Sequence, residues 1–185
     1  MIQGILLAAG SASRFGGGKL LHPLADGMPI GVASLRILRS ALPDVIVVVR
    51  AGDEKLRAIF AAEKVPVRVS SDAHLGMGHS LVCGIDASRE AGGWVIALAD
   101  MPFLLPATIE AVAQRVAKSG RIALPAYRGE RGHPVGFGSR YRDELLTLGG
   151  DAGARALIGR HGDDVEVVDS DDPGVLRDID TRADL

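Results

Sequence analysis

A loop rich in glycine, alanine and serine follows the first apolar segment of the chain and has the residue types needed to bind phosphate. It covers residues 7–19 and reads LAAGSASRFGGGK. Small residues let the backbone approach a ligand closely, and successive exposed N–H groups form a concavity that favours anions. The hydroxyls of Ser11 and Ser13 add donors, and Arg14 and Lys19 add positive charge suited to phosphate oxygens. An ordinary turn with two surface cations is the simpler alternative.

This loop matches neither of two common nucleotide-binding patterns. Lys19 is followed by Leu20 instead of serine or threonine, so the loop is not a P-loop. Its glycines also depart from the G-x-G-x-x-G dinucleotide fingerprint. The spacing therefore favours a phosphate-binding loop of another kind.

A carboxylate at the end of a later apolar segment indicates metal chemistry. Asp100 ends the run ALAD and is followed by Met101 and Pro102. A carboxylate in that position costs free energy unless it has a partner or a function. Beside a triphosphate, the function would be to hold Mg²⁺, which binds few carboxylates together with substrate phosphates. The alternative is that Asp100 caps the helix predicted to begin near Pro106.

The segment GMGHSL, residues 76–81, stands at a predicted helix start and is a second candidate for nucleotide contacts. The free N–H groups of a helix start favour a polar or anionic ligand. Gly78 and Ser80 are the candidate residues, with Ser80 near base or ribose. His79 is expected to be an exposed side chain and not a ligand. A helix start cushioned by glycine is the alternative.

Two further segments carry charges suited to a second, anionic substrate. The segment YRGERGHPVGF, residues 127–137, places Arg131 and His133 on a turn between two predicted strands. The segment GGDAGAR, residues 149–155, places Asp151 and Arg155 at a helix N-terminus, which favours anions. A solvated charged hairpin and an Asp-capped helix are the respective alternatives.

The segment DIDT, residues 178–181, lies in an acidic tail. Asp180 is a candidate for a second metal-binding carboxylate. Acidic tails are usually solvated and have no ligand. The residues alone leave these two interpretations open.

Apolar segments that alternate with helical ones place the motifs at one edge of a sheet. Strands are predicted at 2–8, 45–49, 65–69, 94–99, 122–126, 134–137 and 165–168, and helices at 31–41, 54–64, 78–91, 106–119, 141–148 and 152–161. This alternation is typical of an α/β protein with a mostly parallel sheet flanked by helices. Ligands of such sheets bind beyond the carboxyl ends of the strands, where the 7–19 loop and Asp100 fall. One domain over residues 1–185 is predicted.

Composition excludes several other classes of protein. Hydrophobic residues make up 47% of the 185-residue chain, aromatic residues 4%, and the formal net charge is -2, so no basic field for nucleic acid is present. The single cysteine, Cys83, excludes an internal disulfide and suits a reducing compartment. No apolar run approaches about 18 residues, and the first residues read as a core strand instead of a signal peptide. A soluble cytoplasmic protein without membrane contact is expected.

Six motifs, taken in order, resemble those of the molybdenum cofactor nucleotidyltransferases, which are MobA-like NTP transferases. They are LAAGSASRFGGGK, GMGHSL, ADMP, RGHPVGF, GDAGAR and DIDT. The resemblance covers residues 1–182 and is closest to the cytidylyltransferase branch. It implies a Rossmann-like nucleotidyltransferase fold of the GT-A type.

The resemblance also implies a reaction and roles for residues. CMP is transferred from CTP to the terminal phosphate of molybdopterin or its molybdenum form, with Mg²⁺, and pyrophosphate is released. Base contacts are implied for Leu7, Ala8, Ala9 and Gly10. Triphosphate contacts are implied for Arg14 and Lys19, a nucleotide contact for Ser80, and Mg²⁺ binding for Asp100. The pterin side is implied for Arg131, His133, Asp151 and Arg155. A transient molybdoenzyme or chaperone partner is compatible with this reaction.

Because the attacking group is an anionic phosphate, catalysis needs positioning and charge neutralisation and no protein nucleophile. Arg14, Lys19 and Asp100 are therefore the predicted catalytic residues. The guanylyl relatives read LAGG where this chain has Ala9, whose methyl group would crowd a purine, so CTP is preferred over GTP. GTP, another phosphorylated acceptor, and a non-catalytic cofactor chaperone are the alternatives.

Overall fold

In the part of the chain that the structure describes, eight strands form one sheet flanked by helices. The computed structural model describes residues 1–10, 13–150 and 153–185. The strands are β1 (Ile2–Ala8), β2 (Val45–Arg50), β3 (Val67–Ser70), β4 (Gly93–Leu98), β5 (Ile122–Tyr127), β6 (Glu130–Arg131), β7 (Val135–Gly138) and β8 (Val165–Asp169). The helices are α1 (Ile30–Ala41), α2 (Glu54–Ala62), α3 (Met77–Asp86), α4 (Pro106–Ser119), α5 (Arg142–Leu146) and α6 (Arg155–Arg160). None of these helices combines the length and apolarity that crossing a bilayer requires.

The strand order is β3-β2-β1-β4-β7-β5-β6, with β8 also paired to β5. The pairs β1–β2, β1–β4, β2–β3 and β5–β8 are parallel. Strand β7 lies antiparallel between β4 and β5, and β6 forms a short hairpin with β5. The predicted α/β class and the mostly parallel sheet are confirmed.

Alternating side chains of the strands pack into two hydrophobic cores, one on each face of the sheet. Leu6 of β1 lies in the core formed with α1, α2 and α4, whereas Ile5 lies in the core formed with α3, α5 and α6. This period of two is the pattern of a strand buried on both faces. The β1 carboxyl end is consequently fixed from both sides, and that end carries the 7–19 loop.

Three predictions differ from the structure by more than two residues or in the type of element, and most of the other boundaries differ by one or two residues. Helix α3 ends at Asp86 and does not continue to residue 91, since the Ser88 N–H donates to the Ile85 carbonyl three residues earlier (3.0 Å) in a tighter turn. Helix α6 covers only the later part of the predicted 152–161 segment. The predicted turn at 129–132 contains β6.

The carboxylate that caps α4 is Asp172 and not Asp100, the alternative that the sequence left open. Asp172 is only 2% exposed. Its side chain accepts hydrogen bonds from the Leu105 N–H, the Thr108 hydroxyl and the Gly174 N–H, each at 2.8 Å. The tail is thereby fastened to the first turn of α4, and Asp100 is free for another role.

Replacing Asp172 by alanine is expected to lower the free energy of unfolding by about 3 kcal/mol, because three donors, in two buried hydrogen bonds and one partly buried one, lose a charged acceptor. Urea denaturation followed by circular dichroism measures this change. Asp171→Ala is the matched control, since Asp171 is exposed. Equal stability of the two variants would contradict the capping role.

Candidate active site

A cavity of about 680 Å³ opens at the carboxyl ends of β1 and β4. The chain runs from β1 to β2 and β3 on one side of β1 and then returns to place β4 on its other side. Such a reversal leaves a crevice in which ligands of α/β proteins bind. The lining comprises Leu7, Ala8, Ala9, Gly10, Arg14, Lys19, Leu20, Arg50, Ala51, Ser70, Ser71, Ala73, His74, Gly76, Met77, Ser80, Leu98, Ala99 and Asp100.

The glycine run shapes the loop so that Lys19 returns to this cavity. Gly16, Gly17 and Gly18 have φ values of 88°, 90° and 64°, a left-handed conformation that side-chain-bearing residues rarely adopt. Phe15 before them is buried in the core with α1. The loop is thus anchored at Phe15, turns through the glycines, and brings a buried Lys19 against the sheet edge.

Lys19 forms an ion pair with Asp100. Its Nζ lies 2.7 Å from Asp100 Oδ2 and 3.6 Å from Asp180 Oδ1, and its side chain is only 9% exposed. Arg14 contacts the same Asp180 at 2.7 Å, although its side chain is 74% exposed. The predicted catalytic residues therefore lie together, with Lys19 inside the site and Arg14 at its rim.

Three carboxylates converge at this point. Asp100, Asp178 and Asp180 each offer one oxygen, and these oxygens lie within 4.8 Å of one another. The tail reaches Asp100 because the Ile179 N–H donates to the Asp100 carbonyl at 2.9 Å. Oxygen donors in this number suit Mg²⁺ or Mn²⁺, which also take ligands from phosphate and water.

Asp178 is a candidate residue that the sequence analysis missed. Asp178 and Asp180 flank the fully buried Ile179 in an extended segment. Alternate residues of an extended segment share one side, so burial of the central isoleucine directs both carboxylates the opposite way. The spacing D-I-D is the sequence signal that predicts Asp178 together with Asp180.

Asp184 holds the two tail carboxylates in place. Its Oδ2 accepts from the Thr181 N–H (2.7 Å), the Thr181 hydroxyl (2.9 Å) and the Asp180 N–H (3.1 Å). The bonds from Thr181 lower the pKa of the Asp184 carboxyl, so the charged form persists to lower pH. The acidic tail is thus a bonded turn and not a freely solvated segment.

The other predicted nucleotide contacts separate into two groups. Leu7, Ala8, Ala9, Gly10 and Ser80 line the cavity, and Ser80 is 2% exposed. A Cβ at Gly10 would meet no protein atom within 4 Å, so the space beside this residue is open. Ser11 lies outside the described residues, as does the side chain of Ser13.

Gly78 lies outside the cavity lining and has a packing role. A Cβ at Gly78 would come within 2.8 Å of the Gly149 carbonyl carbon, and the Gly78 N–H donates to the Gly150 carbonyl at 2.9 Å. Glycine at position 78 therefore lets the 149–150 segment approach α3. The expectation that His79 is exposed is wrong in part, because its half-buried ring lies beside Gly149.

Sequence reasoning also missed the far wall of the cavity. Arg50 and Ser70 end β2 and β3, and Ser71 and His74 follow them. The rule that ligands lie beyond strand ends applied to these residues as well. None of them stands in a recognisable motif, so the rule was applied only to the ends of the first and fourth strands.

The predicted residues for a second substrate lie apart from this cavity. Arg131 and Arg155 are exposed, and Asp151 is outside the described residues. His133 is more enclosed, and its buried Nδ1 has no hydrogen-bond partner among the described residues. Burial lowers the pKa of the His133 imidazole, which Asp100 and Asp178 raise and Arg155 lowers further.

A sheet with a crevice at its point of reversal, a cationic loop and a carboxylate cluster define the class of α/β nucleotide-phosphate-binding proteins. Within this class, the family model of the MobA-like NTP transferase domain matches residues 4–165. The chain belongs to the MobA-like NTP transferase family, a family of nucleotidyltransferase domains. The matched residues contain Lys19 and Asp100, whereas Asp178 and Asp180 lie beyond them.

Three relatives illustrate the range of the family. Nicotine blue oxidoreductase of Paenarthrobacter nicotinovorans is 30% identical over 97% of this chain and 92% of its own length. The bifunctional protein GlmU of Syntrophotalea carbinolica is 30% identical, but the match covers 80% of this chain and only 32% of GlmU. Rv0371c of Mycobacterium tuberculosis H37Rv is 30% identical with a TM-score of 0.83, covering 100% of this chain and 95% of that one. Another solved structure of Rv0371c shows this protein in complex with manganese.

Proposed function

We propose that this protein is a Mg²⁺-dependent cytidylyltransferase that transfers CMP from CTP to the terminal phosphate of molybdopterin or its molybdenum form. The observation that carries the proposal is the convergence of Asp100, Asp178 and Asp180 with Lys19 at the cavity lined by residues 7–10. In the reaction, an oxygen of the acceptor phosphate forms a bond to the α-phosphorus of CTP. The bond from that phosphorus to the β-phosphate oxygen breaks, and pyrophosphate leaves.

The residues of the chain supply positioning and charge for this step. Lys19 and Arg14 offset the negative charge of the leaving pyrophosphate, and backbone N–H groups of the 7–10 segment orient the nucleotide. Asp100, Asp178 and Asp180 would hold Mg²⁺, which when bound withdraws charge from phosphate oxygens. The manganese complex of a 29% identical protein, with a TM-score of 0.78, supports a divalent cation in this fold.

The acceptor side of the proposal depends on the resemblance of the motifs and on the charges near His133. An enclosed imidazole, whose Nδ1 has no hydrogen-bond partner in the described part of the chain, and the exposed Arg131 and Arg155 offer donors to an anionic second substrate. Arg155 is the first residue of α6, and its positive charge lowers the pKa of the His133 imidazole. We assign these residues, together with Asp151, to the pterin phosphate side.

Ala9 supports CTP as the nucleotide. It is half-buried in the cavity lining directly after β1, where its methyl group narrows the space for a base. Ala9→Gly is expected to reduce the preference for CTP over GTP by about tenfold, since one methyl group typically discriminates by 10–200-fold. The ratio of kcat/KM for the two nucleotides measures this change. Ala117→Gly, at an exposed position on α4, is the matched control, and an unchanged ratio in Ala9→Gly would contradict the role of Ala9 in base selection.

Product analysis tests the proposal directly. The protein is incubated with Mg²⁺, molybdopterin and either CTP or GTP, and the products are identified by mass spectrometry. We expect molybdopterin cytosine dinucleotide with one pyrophosphate per product. A guanine dinucleotide product would identify GTP as the nucleotide substrate. Turnover only with a sugar phosphate or alcohol phosphate would identify a different acceptor. Tight pterin binding without turnover would indicate a chaperone.

A redox function is a second candidate because a relative matched over 97% of this chain is named an oxidoreductase. The described site argues for transfer chemistry, since a lysine and three carboxylates are suited to phosphates and a divalent cation. Incubation with NADH or NADPH and a quinone-type dye separates the two. Dye reduction without pyrophosphate release would favour the redox function.

A further inference from the structure

Lys19 occupies the position in which a cation would meet the carboxylate cluster. Its ammonium group lies 2.7 Å from Asp100 Oδ2 and 3.6 Å from Asp180 Oδ1. A positive charge at these distances from two carboxylates, in a side chain that is 9% exposed, is little screened by water. The same lysine lines the cavity that the nucleotide would enter.

We propose that Lys19 is an internal counter-cation that weakens the binding of a divalent metal until a nucleotide arrives. In the nucleotide-free protein, its ammonium neutralises Asp100 and part of Asp180, so an incoming metal must displace it or bear its repulsion. The phosphates of a nucleotide offer the ammonium a second set of anionic partners. Lys19 then leaves the carboxylates, and these become available as ligands. The inference rests on the proposed metal-dependent function.

Lys19 and Arg14 differ in how strongly each can oppose the binding of a metal ion. Both contact Asp180, but Arg14 is 74% exposed and does not contact Asp100 among the described ion pairs. Its charge is therefore screened by solvent and easily moved. Asp178 has no described ion pair and adds a further unneutralised charge to the cluster. The barrier to metal binding is accordingly assigned to Lys19.

This arrangement couples the two ligands. A group that opposes metal and is withdrawn by phosphate makes each ligand strengthen the binding of the other, by the same factor in both directions. Metal alone would bind weakly, and the site would fill when nucleotide and metal are both present. The consequence is that nucleotide and metal fill the site cooperatively.

The test uses Mn²⁺ alone as the probe, with no nucleotide. Free Mn²⁺ is measured by electron paramagnetic resonance during titration of the full chain and of Lys19→Met, which keeps length and removes charge. We expect Lys19→Met to bind Mn²⁺ about tenfold more tightly. Lys118→Met, an exposed position on α4, is the control for a general loss of positive charge and should match the unsubstituted protein. Equal or weaker binding by Lys19→Met would overturn the inference.

A second measurement needs no variant. Acetic anhydride labels free amines, and mass spectrometry of peptides follows Lys19 in the unsubstituted protein with and without Mn²⁺. Labelling of Lys19 should rise several-fold when Mn²⁺ displaces it, whereas that of Lys118 should stay constant. An unchanged labelling rate at saturating Mn²⁺ would overturn the inference while leaving the metal site intact. If neither protein binds Mn²⁺, the carboxylates are not a metal site and the proposed function fails as well.

Discussion

Replacing Asp100 by asparagine is expected to lower kcat for nucleotidyl transfer by about a thousandfold. The variant keeps the size of the side chain and removes one of three converging carboxylates. It also removes the partner that holds the Lys19 ammonium at 2.7 Å. A bound metal contributes several kcal/mol of charge stabilisation at a reacting phosphate, and each 1.4 kcal/mol corresponds to a tenfold change in rate. Pyrophosphate release at saturating CTP and Mg²⁺ measures the loss.

The control for Asp100→Asn is an exposed aspartate outside the site. Asp44 lies in the turn before β2, and Asp44→Asn should leave the rate unchanged. The melting temperature of Asp100→Asn should stay within a few degrees of the parent, because Lys19 retains Asp180. Full Mg²⁺-dependent turnover by a folded Asp100→Asn protein would show that the metal assignment is wrong.

Replacing Lys19 by methionine is expected to lower kcat/KM for CTP by about a hundredfold or more. The ammonium is the buried cation of the loop, and its loss leaves the leaving pyrophosphate with Arg14 alone among the described cations of the lining near Asp100. The same variant should bind Mn²⁺ more tightly, so tighter metal binding and slower transfer are expected together. A variant that only lost its fold would lose both.

Arg14→Met is the matched comparison for Lys19→Met. Arg14 also carries one positive charge and contacts Asp180, but it lies at the exposed rim. Its replacement should reduce kcat/KM by about tenfold or less, since exposed ion pairs contribute little. Steady-state kinetics over a range of CTP concentrations compares the two. Larger loss in Arg14→Met than in Lys19→Met would reverse their assigned roles.

Much of the fold was predictable because the core signals are local. Helix α4 was predicted with its observed bounds, since Pro106 marks its start and Gly120 its end. Asp53, a residue type that favours helix caps, stands directly before the predicted helix, and its side chain accepts from the Leu56 N–H at 3.2 Å. The rule that ligands bind beyond the carboxyl ends of parallel strands predicts the sites after β1 and β4. These two strands are neighbours in the sheet.

The remaining features depend on contacts between distant residues. Asp172 accepts a hydrogen bond from the N–H of Leu105, which lies 67 residues earlier in the sequence. Neither segment contains a pattern that predicts this contact. The antiparallel insertion of β7 between β4 and β5 is a choice of pairing, which a period of two along a strand does not determine. Asp178 faces the site because the neighbouring Ile179 is buried. Only tertiary packing determines that burial.

The position of the carboxylates along the chain has a consequence for biosynthesis. The cavity loop is made first, Asp100 midway, and the tail that carries Asp178, Asp180 and their support Asp184 last. Since a nascent chain emerges from its amino end, the sheet can form around β1 and β4 before the cluster exists. A partly synthesised chain would hold Lys19 against Asp100 without the other two carboxylates. A nascent chain should therefore be unable to retain the divalent cation until the segment that carries Asp178, Asp180 and Asp184 has emerged.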